Sequence, residues 1–304
     1  MYTRACQIPA MVDLDVRFSV MDDFSEYQQI LSLASPTVEA ICQPSFSGEL
    51  ARVGNDSMAE LVVKHPQRFP GFVASLPMNN LDQAHREIER AVMQLGAMGI
   101  QLYTHVEGAP LDTQQNLEII EHIAALRKPI WLHPIRPMSF ADYATETHSK
   151  LDVWWAFGWP YETSTAMLRL VCAGVFDRWP DLAIITHHAG GLTPVMEGRI
   201  EFGIDTRVLR NPQDAPMLRT TQSLVDGLRK FYADTASFGS RIPLDAARTF
   251  FGTGKMLFAS DMPFDPEGGP GFIRKGLHLI GQMELEDAQR QAILCGNIQR
   301  LLLQ

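Results

Sequence analysis

Three short stretches of this 304-residue chain end apolar runs on residues able to bind a metal or carry a proton. "WLHP" holds His133, "IITHHAGG" sets His187 beside His188, and "FASDMPF" carries Asp261. Imidazole and carboxylate together offer neutral and anionic donors to a divalent ion, and each can accept or deliver a proton. Side chains alternate faces along a strand, so the paired histidines should not both face one site. A lone strand-end histidine is commonly a core or capping residue. Here turn residues follow all three stretches (Pro134, Ala189-Gly190-Gly191 and Pro263), and three such strand ends point to one shared site.

Those residues meet only if their strands run parallel and end at a common mouth. Short β-prone runs occur at 27–36, 69–77, 99–105, 129–134, 182–188, 230–237 and 255–263. Most are short, apolar-rich runs, as strands buried on both faces are. Helical patterns separate them. In "DQAHREIERAVMQLG" residues Ala84, Ile88, Ala91, Val92 and Leu95 share a stripe that Gly96 ends. "NLEIIEHIAALRKP" repeats the design and stops at Pro129, and "TAMLRLVCAGVFDRWP" lines up Met167, Leu168, Val171, Cys172 and Val175. Such β–α alternation predicts a parallel sheet with right-handed crossovers in a single domain over residues 1–304. Seven runs are one short of a closed (β/α)8 barrel, and the gap is at the front, where 1–24 shows only a helical stretch from Asp15 onward. A doubly wound sheet could use seven strands, but its Gly-rich phosphate turn is absent. "GTGKM" (252–256) lacks the leading glycine of a phosphate loop and reads as a turn before the last strand.

"LHP", "ITHHAGGLTP", "GRI" and "ASDMPF" resemble, in order and spacing, the amidohydrolase-2 family. The branch in question contains aminocarboxymuconate semialdehyde decarboxylase and γ-resorcylate decarboxylase. The likeness runs from about Asp13 to the C-terminus and includes "RFSVMDDF…QQILSLASP" and "WAFGWPYETSTAMLRLVCAGVFDRWPDL". It implies an α/β, TIM-like (β/α)8 barrel with the first strand possibly missing. The family places its catalytic histidine six residues before a proline. Pro194 is six beyond His188, so His188 takes that role and His187 should face away as a satisfied second-layer residue. By the same resemblance His133 is a metal ligand, and Asp261 both touches the metal, Zn2+ or Mn2+, and handles a proton. The implied activity is decarboxylation of a small aromatic or unsaturated carboxylic acid, His188 hydrogen-bonding the departing carboxylate. A metal-dependent hydrolase or hydratase, or a degenerate non-catalytic barrel, are the alternatives. Arg136 is a candidate bidentate partner for the substrate carboxylate. Trp155, with Trp154 and Trp159, reads either as core or as a lid over an aromatic ring.

The family usually opens with a strand ending H-x-H or E-x-H, two further metal ligands. This chain has no such motif; its first histidine is His65, in a helical region. A late start or shortened chain would remove strand and ligands together. A true loss of the pair, or substitution by Asp13 and Asp15 in "VDLDV", are the other two readings.

Bulk composition bounds the rest. A net charge of −9 with no basic run argues against nucleic acid, and no apolar stretch is long enough for a bilayer. The four cysteines (Cys6, Cys42, Cys172 and Cys295) form no CxxC pair and read as buried reduced thiols in a cytoplasmic protein. His85, His105, His122, His148 and His278 have no motif partner. The expected partner is a small carboxylate substrate, and by family resemblance a second copy in a homodimer or larger homo-oligomer.

Overall fold

Strands form at all seven β-prone runs. The computed structural model describes residues 7–208 and 210–303. Its strands are β1 (Ile30–Leu31), β2 (Gly71–Ser75), β3 (Gly99–Tyr103), β4 (Ile130–His133), β5 (Ile184–Thr186), β6 (Tyr232–Asp234) and β7 (Met256–Leu257). They stand side by side in chain order, every adjacent pair parallel. The register aligns Leu102, Leu132 and Thr186 across β3, β4 and β5. All five residues of β2 are buried, as expected for a strand covered on both faces.

The connecting helices follow their apolar stripes. Those that bear on the site are α1 (Leu14–Asp22), α2 (Pro44–Lys64), α3 (Leu81–Met93), α4 (Gln114–Ala125), α5 (Gly158–Cys172), α6 (Arg241–Phe251), α7 (Pro270–Gln282) and α8 (Asn297–Leu302). Asn80 starts α3 by accepting the Gln83 N–H at 3.2 Å, and Thr113 starts α4 by accepting that of Asn116 at 3.3 Å. Their buried stripes, Ala84, Ile88 and Ala91 on α3 and Leu117, Ile120 and Ile123 on α4, join one core that extends from Met21 to Ile293. The stretch read as one helix through Val175 breaks instead at Gly174, whose φ of 76° starts a separate turn, Val175–Arg178. A small antiparallel pair, His105–Val106 with Ala109–Pro110, follows β3 and had no counterpart in the sequence reading.

The sheet curls without closing. Among the described residues β1 pairs only with β2 and β7 only with β6. The two edges meet through side chains. Tyr27 packs edge-on to Phe258 at 6.3 Å, its hydroxyl lies 3.4 Å from the Ser260 hydroxyl, and Gln29 Nε2 donates to Met262 Sδ at 3.2 Å. Asp13 and Asp15 do not stand in for the ligand pair. Asp13 is the N-cap of α1, accepting the N–H groups of Asp15 (2.9 Å) and Val16 (3.3 Å), and both aspartates are exposed. The Asp13 carboxylate is spent on starting a helix. Cys6 lies outside the described residues; Cys42, Cys172 and Cys295 form no disulfide, and against the expectation of buried thiols Cys42 and Cys172 are half-buried and Cys295 is exposed. No described helix is long and apolar enough to cross a membrane.

Candidate active site

The strand tips of β4, β5 and β6 open into a cavity of 2010 Å³ that also reaches the seam between β7 and β1. His133 is the last residue of β4. Its Nδ1 lies 2.6 Å from the Pro134 carbonyl, which makes Nδ1–H the donor and leaves Nε2 as the open nitrogen. Burial pushes its pKa down to about 3, with repulsion from His188 adding to the effect, so the ring is neutral.

Beyond β5 the chain turns sharply. His188, Ala189, Gly190 and Gly191 all have positive φ (55°, 58°, 79° and 64°). Glycine accepts this readily, and at Gly191 a Cβ would stand 2.6 Å from the Pro160 carbonyl, so no larger residue fits. His188 and Ala189 adopt it at a cost, and Asp234 at the tip of β6 holds them there. Its Oδ1 accepts the N–H groups of Ala189 (3.2 Å) and Ala236 (3.0 Å). The His188 ring is stacked between Phe238 (5.2 Å) and Trp159 (6.1 Å), and its Nδ1–H donates to the Ala236 carbonyl at 3.1 Å. Its Nε2 is buried without a partner.

This turn corrects the reading of His187. Strand alternation was expected to point it away, but β5 ends at Thr186 and the alternation ends with it. His187 lines the cavity, its ring 4.8 Å from that of His133 and 6.1 Å from that of His188. Its Nδ1 lies 3.5 Å from Asp234 Oδ2, and its Nε2 is also buried and unpartnered. Burial first, then the two neighbouring imidazoles, holds its pKa well below the ordinary histidine value.

Asp261 lies four residues past β7, at φ 63°, in the cavity wall. Burial raises its pKa to about 6; His188 pulls it back and Asp234 pushes it further up. A carboxyl in that range can hold a proton at mildly acidic pH and yield it. Burial also raises the pKa of Asp234, against the hydrogen bonds it accepts.

Arg136 reaches the cavity wall already engaged. Its Nη1 donates to Glu162 at 2.7 Å, and the guanidinium lies 5.2 Å from the Phe140 ring centre. Trp155 lines the cavity and touches Trp159 (6.4 Å) and Phe238 (6.3 Å) edge-on, while Trp154 is buried. Trp159 is closer to the histidines, 5.2 Å from His133, and its buried indole N–H has no partner.

The sequence reading passed over Asp234 and the unpartnered indole N–H of Trp159, which it had grouped with Trp154 and Trp155 as core or lid. Asp234 had the same signal as His133, a polar residue ending an apolar run in "KFYADTAS". Trp159 had none, because a tryptophan in a helix start looks the same whether its N–H is bonded or free.

The donor chemistry suits a divalent ion. His133 is neutral with its Nδ1–H oriented by a carbonyl, the usual arrangement behind a metal-bound imidazole, and Asp261 supplies an oxygen donor. Among the described residues, no three His, Cys, Asp or Glu side chains already stand as a cluster that could hold a metal ion.

The amidohydrolase family model matches residues 13–303. γ-Resorcylate decarboxylase of Polaromonas sp. (strain JS666) is 33% identical over 298 residues, covering 94% of this chain and 86% of that one. The crystal structure of dihydroxybenzoic acid decarboxylase from Polaromonas sp. JS666, with bound manganese and the inhibitor 2-nitroresorcinol, superposes with a TM-score of 0.78 at 29% identity. That match covers 96% of this chain and 86% of the other. 2,6-Dihydroxybenzoate decarboxylase from Rhizobium gives a TM-score of 0.80 at 27% identity, covering 95% and 88%.

Proposed function

The chain belongs to the amidohydrolase family, and from that premise we propose that it is a metal-dependent carboxy-lyase acting on a small aromatic carboxylic acid. The observation that carries this reading is Asp261, a buried carboxyl with its pKa raised to about 6 in the wall of a cavity shared with neutral His133. Relatives acting on dihydroxybenzoates support the substrate class.

His133 and Asp261 would hold the ion, Mn2+ or Zn2+, which when bound would supply Lewis-acid polarisation of a substrate oxygen. The proton goes from the Asp261 carboxyl to the ring carbon that bears the carboxylate. The bond from that carbon to the carboxylate then breaks, its electron pair returns to the ring, and CO2 leaves. Asp261 regains its proton from water. His188, fixed between Trp159 and Phe238, hydrogen-bonds the departing carboxylate. The Trp159 N–H, unpartnered beside it, donates to the same anion. Trp155 flanks the substrate ring; Arg136, held by Glu162, shapes the wall beside it. A homo-oligomer in the reducing cytoplasm suits thiols that form no disulfide.

The test is CO2 release from 2,6-dihydroxybenzoate and related hydroxybenzoates in heavy water with added Mn2+. One deuterium should enter the ring at the vacated carbon. His188→Ala and Asp261→Asn should each lower kcat by about 10²–10⁴-fold. Full activity in either variant overturns the assignment.

A further inference from the structure

Three imidazoles crowd together where His133 and His187 line the cavity, with His188 packed behind them, and each has its Nδ1 turned to an acceptor of the protein. His133 faces the Pro134 carbonyl (2.6 Å), His188 the Ala236 carbonyl (3.1 Å) and His187 the Asp234 carboxylate (3.5 Å). The Nδ1–H groups of His133 and His188 are spent in this way and leave Nε2 as a lone pair, and Asp234, the nearest acceptor to His187 Nδ1, favours the same tautomer there. Within the trio no ring nitrogen is hydrogen-bonded to another, and the Nε2 atoms of His187 and His188 are buried without a partner. The Trp159 N–H packs beside His133 and His188 yet bonds to neither. Buried lone pairs without donors are costly, and a cation satisfies several at once.

We propose that His187 is a metal ligand, binding a divalent ion through Nε2 together with His133 and Asp261. The assignment rests on the reading that this site takes a divalent ion. Two imidazoles on one ion, with metal–nitrogen distances of about 2.0–2.1 Å, bring their ring centres to about 5 Å. The His133 and His187 rings are 4.8 Å apart, the shortest separation within the trio, whereas His133 and His188 are 5.8 Å apart. The carboxylate behind His187 is the partner that metal-bound histidines characteristically have, fixing the tautomer and making Nε2 more basic. Asp234 Oδ2 is itself buried with no hydrogen-bond partner inside normal distance, so closing the 3.5 Å gap satisfies both groups. His188, stacked between two aromatic rings, is farther from His133 and is not one of the three ligands. No cluster of three is preformed among the described residues, so the three side chains would have to move inward to share one ion.

Cobalt(II) titrated into the chelator-treated full chain, followed by calorimetry and visible absorption, tests this. Wild type should bind about one equivalent. His187→Ala should weaken binding by about a hundredfold and change the cobalt spectrum, Asp234→Asn should weaken it about tenfold, and His188→Ala should leave it within about threefold. Melting curves of the metal-free variants check that each is folded. Should His187→Ala not fold, pulsed electron-spin resonance of Mn2+-loaded wild type counts the coordinated nitrogens. Two imidazoles support the proposal and one overturns it. Unchanged cobalt affinity and spectrum in a folded His187→Ala also overturn it. Metal binding that depends on His187 without any CO2 release would sustain this assignment and sink the decarboxylase reading.

Discussion

The two halves of the sheet are held in different ways. From β3 through β6 each strand has ladders on both edges, and the tips carry His133, the His187–His188 turn and Asp234, each tied to a neighbour by a hydrogen bond or close ring contact. Across the seam from β7 to β1 no ladder exists among the described residues, and the joint rests on Tyr27, Gln29, Phe258, Ser260 and Met262 side chains. Backbone ladders position strand tips to within a fraction of an ångström, whereas side-chain contacts allow more drift. The candidate site therefore sits mostly on the well-tied half, with Asp261 as its one component from the seam.

Acidification should break the tied half hardest. The folded protein holds His133 neutral down to about pH 3, while the unfolded chain takes up that proton near 6.5. Stability is therefore complete above pH 6.5 and falls as pH drops towards 3, by at most about 5 kcal/mol from this residue in metal-free protein. Asp261 works in the opposite sense. Its pKa, raised to about 6, adds stability as pH falls from 6 towards the ordinary carboxylate range, offsetting about 3 kcal/mol. Urea melts at pH 7 and pH 4 should show a shallower acid loss in His133→Asn; parallel losses would mean that burial of this ring does not govern the acid limb.

Core truncation sharpens the contrast. Leu132 on β4 is fully buried and Leu31 on β1 is 8% exposed at the seam. Leu132→Ala should cost about 4 kcal/mol and Leu31→Ala about 2, because the looser edge can relax around the lost volume. Equal losses would show that the seam packs as tightly as the ladders. Hydrogen exchange gives a subtler reading: amides of β1 and β7 should exchange at least about tenfold faster than those of β4 and β5. The smallest effect belongs to Tyr27→Phe. Removing one 3.4 Å contact with Ser260 should change stability by about 0.5 kcal/mol, and a loss several times larger would make that hydroxyl a main clasp of the seam.

Much of this architecture was legible in the residues. Short apolar-rich runs announced seven parallel strands, and the stripes of "DQAHREIERAVMQLG" and "NLEIIEHIAALRKP" announced α3 and α4, because burial demands those periods whatever the neighbours are. The strand-tip positions of His133, His188 and Asp261 were readable for the same reason. The direction of His187 was not. It depends on four consecutive positive φ angles, held by an aspartate 47 residues away in sequence and by two aromatic rings from other elements. Nor could the sequence tell that Arg136 would be taken by Glu162. Local pattern determines which residues are buried and where strands end, since each depends on a residue's own chemistry and that of its near neighbours. Which nitrogen or oxygen is left without a partner depends on groups far apart in the chain, and only their meeting in three dimensions decides it.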